Sequence, residues 1–297
     1  MGRKQFKVHF KKPKGIGLEV YEYPIKQLYK ASKVDPKQPY KLAVIPDVHF
    51  PNYDRKAVAA ALEWLKDYKP HGILFLGDFW EMGEVSRWDR NHNDMDKALK
   101  ELDDGFTFMK RFLKAAGPQC KTKIFLCGNH EDWMSQYLED AEKSQQGFVG
   151  ALRRRRGIDL SFEKLCRLGK LGFDIYPYIS EDQLCTMVKI GHAHYTHGYK
   201  TGANSAKQLF MEVLACAYQG HTEGLDTYRH ASIRGPKEAC TLGTLRDRSY
   251  AKFTRGRLLK WAHSVSAFEF NYKGEFTRHT MHIIDGWVNW GGKKYGR

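Results

Sequence analysis

Three apolar runs, each ending in polar side chains, constrain this 297-residue chain more than any other feature. Residues 41–45 read Lys-Leu-Ala-Val-Ile, followed by Asp47 and His49. Residues 72–76 read Gly-Ile-Leu-Phe-Leu, followed by Gly77 and Asp78. Residues 123–127 read Lys-Ile-Phe-Leu-Cys, followed by Gly128, Asn129, His130 and Glu131. Short apolar runs closed by turn residues read as buried strands. Two side chains two apart on an extended chain point the same way, so Asp47 and His49 form a pair. Three strands delivering polar groups at their C-terminal ends define a site along one edge of an α/β sheet.

The intervening sequence supplies helices. Residues 55–68 carry Val58, Leu62 and Leu65 at helical spacing, with Pro70 as the stop. Residues 93–116 carry Met95, Leu99, Leu102, Phe106, Met109 and Leu113 at steps of three and four, before Gly117-Pro118. A third helix is expected over residues 131–144. Further on, residues 184–190 read as a strand, 203–217 as a helix, and 264–270 with 276–284 as a hairpin. Residues 1–40 read as a basic extension preceding a domain over residues 41–290. Within that extension residues 6–10 form a possible strand, 11–15 a turn and 34–39 a linker.

Composition excludes several classes. No apolar run approaches the ~20 residues of a membrane span, and residues 1–6 lack a signal-peptide core. A cytoplasmic protein without membrane contact is expected. Six scattered cysteines without a C-x-x-C pair read as free thiols. No phosphate-binding G-x-x-x-x-G-K-[ST] and no G-x-S-x-G is present. The net charge of +15 sits at the ends: residues 1–41 hold 11 Lys and Arg against 3 Asp and Glu, and residues 234–297 hold 13 against 5. Basic flanks attract polyanions such as nucleic acid, and equally serve as a solvated surface. The run Arg153–156 has the same two readings. Trp80, Trp88, Trp133, Trp287 and Trp290 can stack on bases or fill core and rim. Asn91-His92 can line a cleft or lie in a loop.

Histidines sharpen the picture. None lies between His130 and His192; then come His192, His194 and His197, and later Gly220-His221-Thr-Glu223. Carboxylate, carboxamide and imidazole groups without a thiolate suit Mn²⁺, Fe or Zn²⁺. A carboxylate such as Asp78 can bridge two cations, and two cations can clamp a phosphoryl displacement.

In this order, the series D-x-H, G-D, G-N-H-E, H and G-H-x-E resembles the calcineurin-like metallophosphoesterases, bacteriophage versions included, from about residue 42 to 286. The resemblance implies a four-layer α/β/β/α sandwich of two mixed sheets flanked by helices. It implies two divalent ions, Mn²⁺ foremost, and hydrolysis of a phosphate ester by metal-bound hydroxide. Asp47 and His49 would bind the first metal, Asp78 would bridge, and Asn129, His197 and His221 would bind the second. His197 is chosen over His192 and His194 because it closes a strand ahead of a helix. His130 would touch the phosphate and protonate the leaving oxygen. Glu81 takes the place of the acidic residue that orients this His in the family's protein phosphatases, although Met82 stands where they have Arg. Glu223 replaces the family's last His; it either ligates the first metal through oxygen or leaves that place to water. The expected substrate is a phosphodiester, nucleic acid or nucleotide. A phosphomonoester is the alternative, and a non-catalytic scaffold is the alternative of another kind. A phage-encoded version would work in the host cytoplasm.

Overall fold

The computed structural model describes residues 6–10, 18–86, 94–143, 161–180, 185–231, 233, 235–250 and 260–296. The run 153–156, Trp88, Asn91, His92 and the turn at 11–15 lie outside them.

The three apolar runs form β3 (Tyr40–Ile45), β4 (Gly72–Phe75) and β5 (Thr122–Leu126). They pair in parallel, side by side, and β6 (Asp174–Tyr176) extends them. The expected C-terminal hairpin, β12 (Ser264–Phe270) and β13 (Phe276–His282), completes this sheet with β12 antiparallel to β3. The order is β13-β12-β3-β4-β5-β6.

A second sheet lies against it. Its strands are β1 (Phe6–Phe10), β2 (Leu18–Tyr23), β7 (Cys185–Ile190), β8 (Ala193–Thr196), β9 (Cys216–Gln219), β10 (Leu225–His230) and β11 (Lys237–Leu242). They run in the order β1-β2-β7-β8-β9-β11-β10. Both sheets mix parallel and antiparallel pairs.

Alternation along β3 builds the layers. Leu42 and Val44 face the other sheet, where they join Leu74, Leu76, Val188, Tyr195 and Phe268 in a dry core. Ala43 and Ile45 face the helices α2 (Arg55–Tyr68) and α3 (Met95–Ala116). Asp54 caps α2 by accepting from the Ala57 amide. Gly105 lets α3 approach, since a Cβ there would lie 1.9 Å from Trp80 Nε1. A short helix, residues 162–166, is α5, following α4 (Asn129–Lys143). On the far side α6 (residues 205–213) covers β9 and β11 through Leu209 and Phe210. The result is the expected α/β/β/α sandwich.

Two expectations shift. The helix expected to reach residue 217 ends at Val213, and Cys216–Gln219 is strand β9. Residues 18–40 are no appendage: β2 pairs with β7, and α1 (Ile25–Ser32) buries Ile25, Leu28 and Tyr29 in the inter-sheet core. The packing therefore does not change at residue 41.

Candidate metal centre

Five strand ends converge. Asp47 follows β3, Asp78 follows β4, and Asn129 opens α4 just beyond β5. His197 follows β8 in the second sheet, and His221 and Glu223 follow β9. The chain turns sharply at these points. Asp47, His49, Asp78, His221 and Glu223 all have positive φ, from 22° to 64°. Such strain persists where surrounding structure over-determines it, and it concentrates at functional sites. Glycines make room: a Cβ on Gly128 would lie 2.1 Å from Asp78 Oδ1, and one on Gly220 2.4 Å from Asp47 Oδ1.

Asp78 is the hub. Its Oδ2 lies 3.3 Å from His197 Nε2 and 3.8 Å from the Nε2 atoms of both His49 and His130. Its Oδ1 accepts from the His130 amide at 3.0 Å. Asp78, His197 and His221 each offer a ligand atom within 4.8 Å of the others; so do His49, Glu81 and His130. Glu223 Oε1 is 3.7 Å from His49 Nε2. Asp47 Oδ1 is 3.7 Å from His197 Nδ1 and Asn129 Oδ1 3.0 Å from His197 Nε2, so the seven residues that the resemblance implies as metal ligands come to one place. His192, at the opposite turn, and His194, bonded to the Cys216 carbonyl, do not join them.

Several donor atoms in this place are orphaned. Asp47 Oδ1 and Oδ2, His49 Nε2, His221 Nδ1 and Glu223 Oε2 are buried without a hydrogen-bond partner. Buried polar atoms in native proteins are nearly always satisfied. Oxygen and imidazole atoms left bare around a shared carboxylate are the donor set of a hard or borderline divalent ion. The residues present therefore fit such a metal.

Electrostatics support this. Burial raises the Asp47 pKa well above its usual value, against the pull of His197. Burial would raise Asp78 too, but the imidazoles of His197, His130 and His49 hold it well below the usual range. Burial pulls His197 down, yet Asp78 and Asp47 push it up to about 9. Both His197 nitrogens donate, Nδ1 to the Leu76 carbonyl at 2.6 Å and Nε2 to Asn129 Oδ1 at 3.0 Å. Its proton supplies positive charge that a cation would otherwise bring. Burial, and then the charge of His197, lowers His221 to about 4, so its imidazole is neutral at pH 7. Burial raises Glu223 to about 7 despite Arg246.

Glu81 makes a different contact from the one the phosphatase resemblance implies. Its backbone carbonyl, not its carboxylate, accepts from His130 Nδ1. Its carboxylate accepts from His49 Nδ1 at 2.9 Å and pairs with Arg246. A carboxylate on the outer nitrogen of a metal-facing imidazole fixes the tautomer and the ring.

Two residues here carry roles the sequence reading did not assign. Arg246, 6% exposed, donates from Nη1 to Glu223 Oε1 at 3.1 Å and from Nη2 to Glu81 Oε1. Nothing in its spacing marks it; it stands in a basic region 23 residues after Glu223. Glu131 is wholly buried, and its carboxylate accepts from the amides of Asp78, Phe79, Trp80 and Gly128 at 2.7–3.0 Å. It staples the loop after β4 to the turn after β5, and the signal was there as the last residue of Gly-Asn-His-Glu. Glu131→Ala leaves four buried amides without an acceptor. We expect it to lose at least about 3 kcal/mol of stability, read as a lower urea midpoint. An unchanged midpoint would contradict the staple.

The centre opens into a cavity of about 1000 Å³, walled by Phe50, Trp133, His130, Arg246 and one face of α3. Among the other tryptophans, Trp80 is core, while Trp287 and Trp290 border a separate hollow beside β13.

No protein-family model matches the chain. The chain is similar to the gene 54 protein of Mycobacterium phage L5, with 20% identity over 226 residues, 74% of this chain and 85% of that protein. Among solved structures it is similar to Vacuolar Protein Sorting 29 from Cryptosporidium parvum (TM-score 0.44, 12% identity, 88% of this chain and 100% of that one). It is also similar to a Vps29 single mutant from Entamoeba histolytica (TM-score 0.40, 13% identity, 86% of this chain and 99% of that one). These are distant likenesses, and no helix among the described residues is long and apolar enough to cross a membrane.

Proposed function

We propose that the protein is a metallophosphoesterase of the calcineurin-like type, hydrolysing a phosphodiester with two divalent cations. The carrying observation is the set of orphaned buried atoms on Asp47, His49, His221 and Glu223 around Asp78. Asp47, His49, Asp78 and Glu223 would hold one cation; Asp78, Asn129, His197 and His221 would hold the other. Mn²⁺ suits a set this rich in carboxylate oxygen. Two such ions supply positive charge to the phosphoryl oxygens and lower the pKa of a water.

The chain's own groups do the rest. His130 is held through Nδ1 by the Glu81 carbonyl and through its amide by Asp78. That leaves Nε2 turned toward the centre, 3.8 Å from Asp78 Oδ2. It donates a proton to the leaving oxygen from the imidazolium form, which burial disfavours and the Asp78 carboxylate favours. The phage relative is consistent with action in a host cytoplasm.

A monoester reading draws on Arg246, a guanidinium at the cavity wall. Its terminal nitrogens already serve Glu223 and Glu81. A monoester dianion would have to displace one of them, whereas a diester carries one charge fewer. The test is turnover of bis-p-nitrophenyl phosphate against p-nitrophenyl phosphate, with Mn²⁺ and after chelation, with metal content measured on the same sample. Faster diester cleavage with about two metals bound is expected. Faster monoester cleavage would reverse the substrate class. No turnover and no bound metal would leave the scaffold alternative standing.

A further inference from the structure

We infer that the ester taken by this centre is a compact nucleoside phosphodiester whose base stacks on Trp133, and not a strand of nucleic acid. This rests on the hydrolase reading above and narrows it.

Trp133 lies one helical turn beyond His130 on α4. The two rings have centroids 4.0 Å apart at 34°, and the half-buried indole walls the cavity. An ester whose phosphate sits beside His130 therefore has an aromatic surface within reach. Every base has a π-face that such a surface can take.

Among the described residues, the α3 side of the cavity does not favour a polyanion. Helix α3 turns Lys97, Lys100, Glu101 and Asp104 toward it, at the spacing of one helical face. Both ammonium groups are matched by carboxylates. Lys97 Nζ is 3.7 Å from Glu84 and 3.5 Å from Asp94, and Lys100 pairs with Asp104. A strand carries a phosphate at every nucleotide. Its flanking phosphates would meet the carboxylates of Glu84, Asp94 and Asp104, one more than the two ammonium groups they pair with, whereas a molecule with one phosphate at the centre brings none to this rim.

Nor do the lysines at α1, in the basic N-terminal flank, lead to the centre. Lys26 and Lys30 are exposed on α1, and Lys33 is exposed at its C-terminal cap. That helix packs on the turn after β12, with Tyr29 and Tyr272 at 5.2 Å. Phe270, which enters that turn, pairs with Tyr40 at the start of β3. Asp47 follows the other end of β3, so these lysines lie at the opposite pole of the sheet.

The test compares thymidine 5′-(p-nitrophenyl phosphate), methyl p-nitrophenyl phosphate and a single-stranded oligonucleotide on the full chain with Mn²⁺. The two aryl esters share the p-nitrophenyl group, which can itself lie on Trp133, and one carries a nucleoside where the other carries a methyl, so their ratio reads only what the base adds. Their kcat/KM ratio therefore cancels any change in His130 that a Trp133 substitution brings. The wild type should favour the nucleoside ester by about tenfold, the order of one base–aromatic stack. Trp133→Ala should bring the ratio near one, and Trp133→Phe should keep most of it. The oligonucleotide should be the poorer substrate and should gain on Asp104→Lys. A ratio unmoved by Trp133→Ala, or an oligonucleotide cleaved faster than the nucleoside ester, would overturn the inference and leave the hydrolase reading intact. The methyl ester has no base. If the wild type fails on it as well, the hydrolase reading falls and this inference with it.

Discussion

Asp78→Asn is expected to remove both bound metal and turnover. Asp78 faces three of the centre's four imidazoles, His197 at 3.3 Å and His49 and His130 at 3.8 Å, and it belongs to both proposed cation positions. The amide is nearly isosteric, so the loop after β4 should hold, still stapled by Glu131 through the backbone amides. What disappears is the shared negative charge. Two clamped cations are worth several kcal/mol of transition-state stabilisation, which corresponds to about a thousandfold or more in rate. Metal content by elemental analysis and kcat on bis-p-nitrophenyl phosphate read the two losses together. Retention of two metals with wild-type turnover would remove Asp78 from the bridging role.

His130→Ala is expected to behave differently, and the difference separates the two roles. His130 reaches the centre from the first turn of α4, tied by the Glu81 carbonyl. Its orphaned neighbours, not its own ring, make up the proposed donor set. Turnover should fall about 10²–10⁴-fold, the usual range for removing a positioned general acid, with metal content unchanged. An ester with a better leaving group should lose less, because its oxygen needs a proton less. Loss of one metal along with the rate would instead place His130 with His49 and Glu81 as a ligand, the other grouping the geometry allows.

Most of the framework is legible in the sequence because the central strands are buried on both faces. Such strands appear as unbroken apolar runs, and the polar residue ending each one is easy to see. The same logic selects His197 over His192 and His194, since only His197 ends a strand pointing toward the others. Legibility fails where a residue's surroundings are assembled from afar. In β2 the apolar alternation is interrupted by Glu19 and Glu22, and a basic stretch precedes it, so it reads as surface. In the fold Glu19 is 1% exposed and the strand is inside a sheet. The resemblance puts the Glu81 carboxylate on His130, but the backbone at residues 81–82 turns the carbonyl there and leaves the carboxylate to His49 and Arg246. Arg246 comes from the loop after β11, and its three-body contact with Glu223 and Glu81 has no trace in local spacing.

The pairing of Glu223 with Arg246 also explains how a carboxylate can stand where a neutral imidazole is expected. Relative to the imidazole that the resemblance implies, Glu223 brings a carboxyl group beside Asp47 and Asp78, and burial raises its pKa to about 7. The buried guanidinium brings a positive charge while occupying only Oε1, and Oε2 stays bare. A lone buried carboxylate at this point would carry a desolvation cost that the pair reduces.

The most direct test of the central claim is a crystal structure of the protein grown with MnCl₂, with anomalous difference density collected at the manganese edge. Two peaks about 3.5–4 Å apart, on either side of Asp78, are predicted. Asp47, His49 and Glu223 should lie on one peak, and Asn129, His197 and His221 on the other. No peak among these residues, with manganese bound elsewhere or not at all, would contradict the dinuclear centre.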